Sequence, residues 1–317
     1  MARRIGFFGS PLIAAELLSA LHSDGHRILF VVSNPDRRLG RHSSLQPTEV
    51  SRRAETLGLT LYRPERVKEM VGTLQQHDAE VYLVFAYGQI IPRIVFAFPP
   101  HGTLNLHASL LPAWRGASPI RASILAGDPV TGWSVQQITE KLDAGPVLSQ
   151  VEMAIQPTED AAELTERMLP AGIALVRDTL ADLEGSLARA TEQDHSRATY
   201  CQKIRMEDAE LRWSHPAVKL DRMIRAYAGW PVAHTTFRGG KLKIHKARLD
   251  DSSMPGDPGQ LSVQKGRLFV ASGQGVLEIL SLQPENKNRL PAAAFVNGYR
   301  PHSSECFGGG GEDHGDS

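Results

Sequence analysis

The chain has 317 residues, 35 Lys+Arg against 35 Asp+Glu, 41% hydrophobic and 22% charged side chains, and two cysteines, Cys201 and Cys306. That length makes about two domains and buries a core without covalent staples, so neither a disulfide framework nor a cysteine-built zinc site is expected. Balanced charge excludes a globally basic nucleic-acid binder and leaves any RNA contact to local patches; no apolar stretch has the form of a membrane span or a secretory leader, so a cytoplasmic protein with no membrane partner is expected.

The first half alternates apolar runs with helical spacing. Residues 4–8 read as a buried strand, and Leu12, Ile13, Leu17, Leu18 and Leu21 follow at helical intervals. A β-branched run at 28–32 predicts a second strand. Residues 47–57 predict a helix with Pro47 in its first turn. Residues 81–85 and 103–107 predict two more strands, 120–125 a short helix and 133–138 a further strand. This order implies an α/β unit with a parallel sheet covered on both faces. Ligands of such sheets bind beyond the carboxyl ends of the strands. A long amphipathic helix over 161–183 closes the unit, within bounds set at 1–189, and the polar stretch 190–206 is expected to be a linker.

The second half changes character. After a helix at 216–227 come short β-spaced runs at 233–237, 241–248, 260–263, 267–272 and 275–282, punctuated by glycine and proline. They predict a smaller all-β module over 207–307 that closes as a barrel. The Gly-rich, acidic stretch 308–317 is expected to be a disordered tail.

The chemistry concentrates in residues 103–150. Asn105 and His107 are two apart on a strand and share a face. Asp143, in Leu142-Asp143-Ala144-Gly145, follows a later strand and can approach the same strand mouth. An amide donor, a titratable ring and a carboxylate would then converge. Ser109 beside His107 and Asp143 also permits a hydrolase triad, although the Gly-x-Ser-x-Gly elbow is missing. A nucleotide-dependent oxidoreductase would need Gly-x-Gly-x-x-Gly after the first strand; the turn here reads Gly6-Phe7-Phe8-Gly9-Ser10-Pro11. An RNA-binding protein without catalysis would leave the Asn-His-Asp set unexplained.

Taken jointly, Asn105-x-His107, Ser109-Leu110-Leu111-Pro112-x-Trp114-Arg115-Gly116 and Leu142-Asp143-x-Gly145 resemble the folate-dependent formyltransferase family. The likeness runs from about Arg4 to Arg300 and is strongest to the branch that acts on methionyl-initiator tRNA. It rests also on Phe85-Ala86-Tyr87-Gly88-x-Ile90-Ile91-Pro92, on Pro35-Asp36-Arg37-x-x-Gly40-Arg41 and on Trp230-Pro231. The resemblance implies a Rossmann-like N-terminal domain and an OB-like C-terminal β-barrel domain. It implies 10-formyltetrahydrofolate as formyl donor, methionyl-initiator tRNA as acceptor and no metal; a monomer is expected. Asn105, His107 and Asp143 would be catalytic. Asn105 would stabilise the developing oxyanion, and His107, set by Asp143, would move the protons. Ser109, Leu110, Leu111 and Pro112, with Phe85, Tyr87, Gly88 and Ile90, would bind folate. Arg37, Arg38, Arg41 and His42 would grip tRNA from a loop hinged at Gly40. Lys241 and Lys243, on one strand face, would add a basic surface, joined by Lys246 and Arg248 if a bulge aligns the pairs. Relatives acting on amino-sugar nucleotides, or hydrolysing the folate, are the alternatives with the same trio. The chain departs from the family pattern at Leu12, Ile13, Trp133, Gln136 and Gln137, which bears on the shape of the amino-acid pocket, and at His42, Ser43 and Ser44 in the basic loop.

Overall fold

The computed structural model describes residues 2–38, 44–252 and 256–309. Two compact units result: Met1–Pro119, Val130–Ala154 and Arg167–Gln202 form the first, and Ile120–Pro129, Ile155–Glu166 and Lys203–Ser317 the second.

The first unit holds a seven-stranded sheet in the order Val147–Ala154, Val130–Gln137, Thr103–His107, Val81–Phe85, Arg4–Gly9, Arg27–Val32, Leu61–Tyr62. The last five run parallel. Val130–Gln137 runs antiparallel to both of its neighbours, so the sheet is mixed. The pair at the edge is joined by residues 138–146, too short a span for the crossover that parallel strands need. The edge strand Val147–Ala154 carries no continuous apolar run and escapes the sequence pattern.

The apolar spacing of the helix Leu12–Ser23 buries Ala14, Leu17, Leu18 and Leu21 but leaves Leu12 largely exposed. The second helix begins later than Pro47 suggests, at Glu49. Thr48 caps it, its Oγ1 accepting from Ser51 N at 3.0 Å. Phe8, Phe30, Tyr82 and Tyr87 pack edge to face in the core. Gly6 makes room for them, since a Cβ there would lie 2.3 Å from the Phe30 ring.

Trp133 is fully buried. Its Nε1 donates to Met168 O at 2.8 Å and its ring meets Phe85 edge-on. Gly172 accommodates it: a Cβ there would lie 2.9 Å from the indole. By strand alternation Trp133 and Val135 share one sheet face and Ser134 and Gln136 the other. Trp133 therefore fills core beside the helix Ala161–Ala181 and lines no pocket on the Asn105 side.

The second unit is built on an antiparallel sheet in the order His234–Phe237, Gly240–Asp250, Val276–Pro284, Arg267–Ala271, Leu261–Gln264, with Leu290–Pro291 paired to Val276–Pro284. Among the described residues the two end strands do not pair with each other, so the sheet does not close as the expected barrel. Residues 305–308 instead bond to both ends: Leu261 N donates to Glu305 O, Phe307 N to Gly259 O and Gly308 N to Thr236 O. The stretch expected to be a tail thus begins inside the fold; 310–317 lie outside the described residues. The helix Ala217–Ala226 buries Leu220, Met223 and Ile224 against this sheet. A helix unmarked by the sequence pattern, Ala292–Tyr299, adds Phe295, packed on Phe237 and Phe307.

Register shifts around Lys246 make the bulge on which the basic face depends. Leu242, Ile244 and Ala247 point inward, while Lys241, Lys243, Lys246 and Arg248 share the outer face. Two of these are already paired: Lys246 Nζ lies 3.8 Å from Glu163, and Arg248 bonds Glu278 at 2.5 Å. Among the described residues no helix is long and apolar enough to cross a membrane.

Candidate active site

On the strand Thr103–His107, Leu104 and Leu106 bury one face and Asn105 and His107 occupy the other. The neighbouring strand pairs Gln136 opposite Asn105 and Ser134 opposite His107. Directly opposed residues share a face, so four polar side chains gather on one side of two neighbouring interior strands. Polar residues sit where the sheet would otherwise be apolar, and this marks the site.

His107 is 6% exposed and its Nε2 lies 2.9 Å from Trp114 O. A carbonyl only accepts, so Nε2 carries a hydrogen, and in the neutral ring the lone pair is then on Nδ1. Nδ1 faces Asp143 Oδ1 at 3.8 Å. Asp143 stands in a turn at φ +48°, and both of its carboxylate oxygens are held: Oδ2 accepts from Gly116 N and Oδ1 from Gln136 Nε2, each at 2.9 Å. Gly145 closes that turn because a Cβ there would lie 1.9 Å from Gln137 O. The Asn105 amide, half-buried, makes no hydrogen bond to a described residue. The trio expected from the sequence thus includes one uncommitted donor, one free ring nitrogen and one fixed carboxylate. A donor, a base and a carboxylate in this order suit transfer of an acyl-type carbon to an amine.

The loop after the strand is held by serines. Ser109 is buried and its hydroxyl donates to Ala113 O at 2.5 Å. Ser134 Oγ donates to Ser109 O and accepts from Leu111 N, and Gln150 Nε2 donates to Leu111 O. Ser109 is therefore spent on loop structure, with no bond to His107, and the hydrolase triad falls away. Leu111 is buried; Leu110 and Pro112 are partly exposed, and the Leu111–Pro112 peptide is cis.

Residues 191–201, polar and without periodicity, bind back to this loop. Tyr200–Cys201 pairs parallel to Arg115–Gly116, and Trp114 N donates to Thr199 Oγ1. Gln193 Oε1 accepts two hydrogen bonds from the buried Arg115 guanidinium, whose Nη2 also meets His195 Nδ1 at 2.8 Å. The sequence marks Gln136 only as a departure from the family pattern, not as a partner of Asp143, and does not mark Gln193 or His195; the signal for these is a buried arginine that needs a partner. Burial pushes the Cys201 thiol up, away from reactivity. Gly116 has φ +117° and a Cβ there would sit 2.1 Å from Cys201 O. Gly116→Ala is expected to cost about 3 kcal/mol or more through this clash and the strained backbone, read as a lowered unfolding midpoint in calorimetry. An unchanged midpoint would mean that the 200–201 strand does not hold the loop.

The expected folate segment is placed differently from its side-chain pattern. Phe85 is buried against Trp133, and Tyr87 is buried in the aromatic core, where burial raises its hydroxyl well above the usual tyrosine range. Neither side chain is open to a ligand, because both complete the core beneath the strand ends. Gly88, at φ +85°, and Ile90, 90% exposed, are what this turn presents. Asn34 fastens it: its Nδ2 donates to Ser10 Oγ and Tyr87 O, and its Oδ1 accepts from Gln89 Nε2.

Arg37 and Arg38 are exposed on a two-residue strand paired with Leu45–Gln46. Arg41, His42 and Gly40 lie outside the described residues. Lys241 and Lys243 lie in the second unit, on the outer sheet face described above. Among the described residues no group of three or more His, Cys, Asp or Glu is placed to hold a metal ion.

A family model described as formyl transferase matches residues 3–180, and one described as formyl transferase, C-terminal domain, matches 203–300. A methionyl-tRNA formyltransferase of Solibacter usitatus is 39% identical over 309 residues, covering 97% of this chain and 99% of its own. That of Roseiflexus castenholzii is 39% identical over 313 residues, covering 98% and 100%. Among solved structures, HypX from Aquifex aeolicus in complex with tetrahydrofolic acid superposes with a TM-score of 0.66 at 16% identity, over 93% of this chain and 47% of that one, so the chain spans about half of its length. An N-formyltransferase from Helicobacter canadensis, bound to folinic acid and dTDP-3-aminofucose, has a TM-score of 0.66 at 16% identity, over 88% and 98%. These two likenesses speak to the fold.

Proposed function

The chain belongs to the formyl transferase family, and from that premise we propose that it moves the formyl group of 10-formyltetrahydrofolate to the free amino group of methionyl-initiator tRNA, the reaction that prepares this tRNA for translation initiation. The observation that carries the chemistry is the Asn105 amide, uncommitted beside a His107 whose Nδ1 is free and turned to Asp143. The relatives named for this activity match end to end, which favours it over transfer to an amino-sugar nucleotide or to water.

The folate supplies an activated one-carbon unit. As the amine adds to the formyl carbon, Asn105 Nδ2 donates to the formyl oxygen, on which charge builds. His107 Nδ1 takes the amine proton and returns it to the folate nitrogen as its bond to the formyl carbon breaks. His107 keeps its orientation throughout because Nε2 stays on Trp114 O, and Asp143 balances the ring's positive charge. Ser109, Leu110, Leu111 and Pro112, with the backbone at Phe85, Tyr87 and Gly88 and the exposed Ile90, are assigned to the folate. Arg37, Arg38, Arg41 and His42, with Lys241 and Lys243, are assigned to tRNA phosphates.

We take 1–189 as the catalytic domain, 190–206 as the connection, of which 191–201 folds back onto the catalytic loop, and 207–307 as the tRNA-binding domain. An OB-like reading of the latter is supported by the bonds that 305–308 make to both end strands. A monomer in the cytoplasm fits this role. The test is incubation of the purified protein with 10-formyltetrahydrofolate and either methionyl-initiator or methionyl-elongator tRNA, following N-formylmethionine. Rapid formylation of the initiator alone is expected. Formylation of an amino-sugar nucleotide, or formate release without an acceptor, in place of it would transfer the assignment to the corresponding relative.

A further inference from the structure

Behind Asp143 lies a chain of buried polar groups that the transfer chemistry does not by itself require. The Arg115 guanidinium donates to Gln193 Oε1 from Nε at 3.1 Å and from Nη2 at 2.7 Å. Arginine has donors only, so the oxygen of Gln193 must face it and the NH2 must point away. Its two hydrogens are shared among three acceptors: Gly145 O at 2.7 Å, Asp143 O at 3.0 Å and, as the longest of the three, Gln136 Oε1 at 3.3 Å. Gln136 is thereby oriented in turn, oxygen toward Gln193 and NH2 on Asp143 Oδ1. With Gly116 N on Oδ2, both carboxylate oxygens accept, and among the described residues the titratable ring that faces Asp143 is His107, its Nδ1 3.8 Å from Oδ1.

We propose that Gln193 and Gln136 are positioning residues that form a one-way amide relay from the fixed charge of Arg115, holding Asp143 as an accepting carboxylate with Oδ1 turned to His107. A relay of two primary amides has a direction only if one end is a pure donor and the other a pure acceptor; Arg115 and the Asp143 carboxylate are those ends. The turn itself is caught as well, since Gln193 binds the Asp143 and Gly145 carbonyls. The inference rests on the reading of Asp143 given above. The charged and titratable groups around Asp143 are His107 across the site, Arg115 through Gln193 with His195 beyond it, Cys201 on the strand Tyr200–Cys201 and Lys141 on its own turn.

Gln136→Glu keeps the shape of the side chain and replaces the donor on Oδ1 by a second carboxylate, whereas Gln136→Met keeps bulk and removes polarity. At neutral pH, Gln136→Glu is expected to lower kcat roughly a hundredfold and Gln136→Met about tenfold, with KM for both substrates within about twofold. The Gln136→Glu deficit should shrink as the pH falls toward about 5, because the new carboxyl regains a proton to donate. A packing role alone would give neither the order of the two variants nor that pH trend. Wild-type kcat in Gln136→Glu, with Asp143→Asn inactive, overturns the relay and leaves the role of Asp143 standing. Wild-type kcat in Asp143→Asn removes the premise and the relay with it. Independently of either variant's folding, nuclear magnetic resonance of the unmodified protein should show a low-field, slowly exchanging side-chain NH of Gln136. A freely exchanging Gln136 amide overturns the proposal.

Discussion

Asn105→Ala is expected to lower kcat by at least a hundredfold while the KM for 10-formyltetrahydrofolate stays nearly constant. Loss of one donor to a developing oxyanion is worth about 3 kcal/mol in a preorganised site. The geometry argues that this loss falls on the transition state. The other side chains of the cluster each have a partner within the protein: His107 Nε2 on Trp114 O, Ser134 on the 109–111 loop, Gln136 on Asp143. Among these four, Asn105 keeps its whole amide for the substrate. For the same reason its removal orphans no buried partner, so the unfolding midpoint should change little. Steady-state kinetics at saturating tRNA and folate separate the two parameters. A variant that kept kcat and lost folate affinity would move Asn105 from the reaction to the binding of the donor.

Much of this site is legible in the sequence. Asn105 and His107 are two apart on a strand that reads as such from Thr103, and alternation alone puts them on one face. Asp143 is legible as a residue but not as a geometry: its approach depends on an antiparallel return strand and a turn closed at Gly145, and nothing in the periodicity distinguishes that return from a parallel crossover. Gln193 is invisible there, and Gln136 stands out only as a departure from the family pattern, for a different reason. An amide carries no charge and no spacing signature, and its meaning comes from which way it is forced to point. Residues 191–201 look like a linker because their bonds are to a distant loop and not to their own neighbours. Tyr87 differs in the opposite sense: the motif draws its side chain toward the folate, whereas its ring completes the aromatic core with Phe8 and the turn offers its backbone instead. The basic face of Gly240–Asp250 hangs on one bulge at Lys246, which a strict two-residue period cannot supply.

Asp143→Asn is the sharper test of how the trio works. In many such sets the carboxylate selects the histidine tautomer. Here that task belongs to Trp114 O, which only Nε2–H can satisfy. Removing the charge should therefore leave His107 in its place and its tautomer unaltered, and the loss isolates the electrostatic part of the role. The substitution also creates a local conflict. Gly116 N and Gln136 Nε2 both donate to the carboxylate; an asparagine offers one oxygen and one NH2, so one of these donors must face another donor. The expected result is a kcat reduced at least about a hundredfold with folate KM nearly unchanged and a modest fall in the unfolding midpoint. The two effects separate in the double variant Asp143→Asn, Gln136→Glu. There the new carboxylate at position 136 accepts from the asparagine NH2, so the midpoint should recover while kcat stays low. Recovery of kcat along with stability would show that a carboxylate at position 136 serves the transfer as well as one at 143, so that the charge need not stand on Asp143 itself.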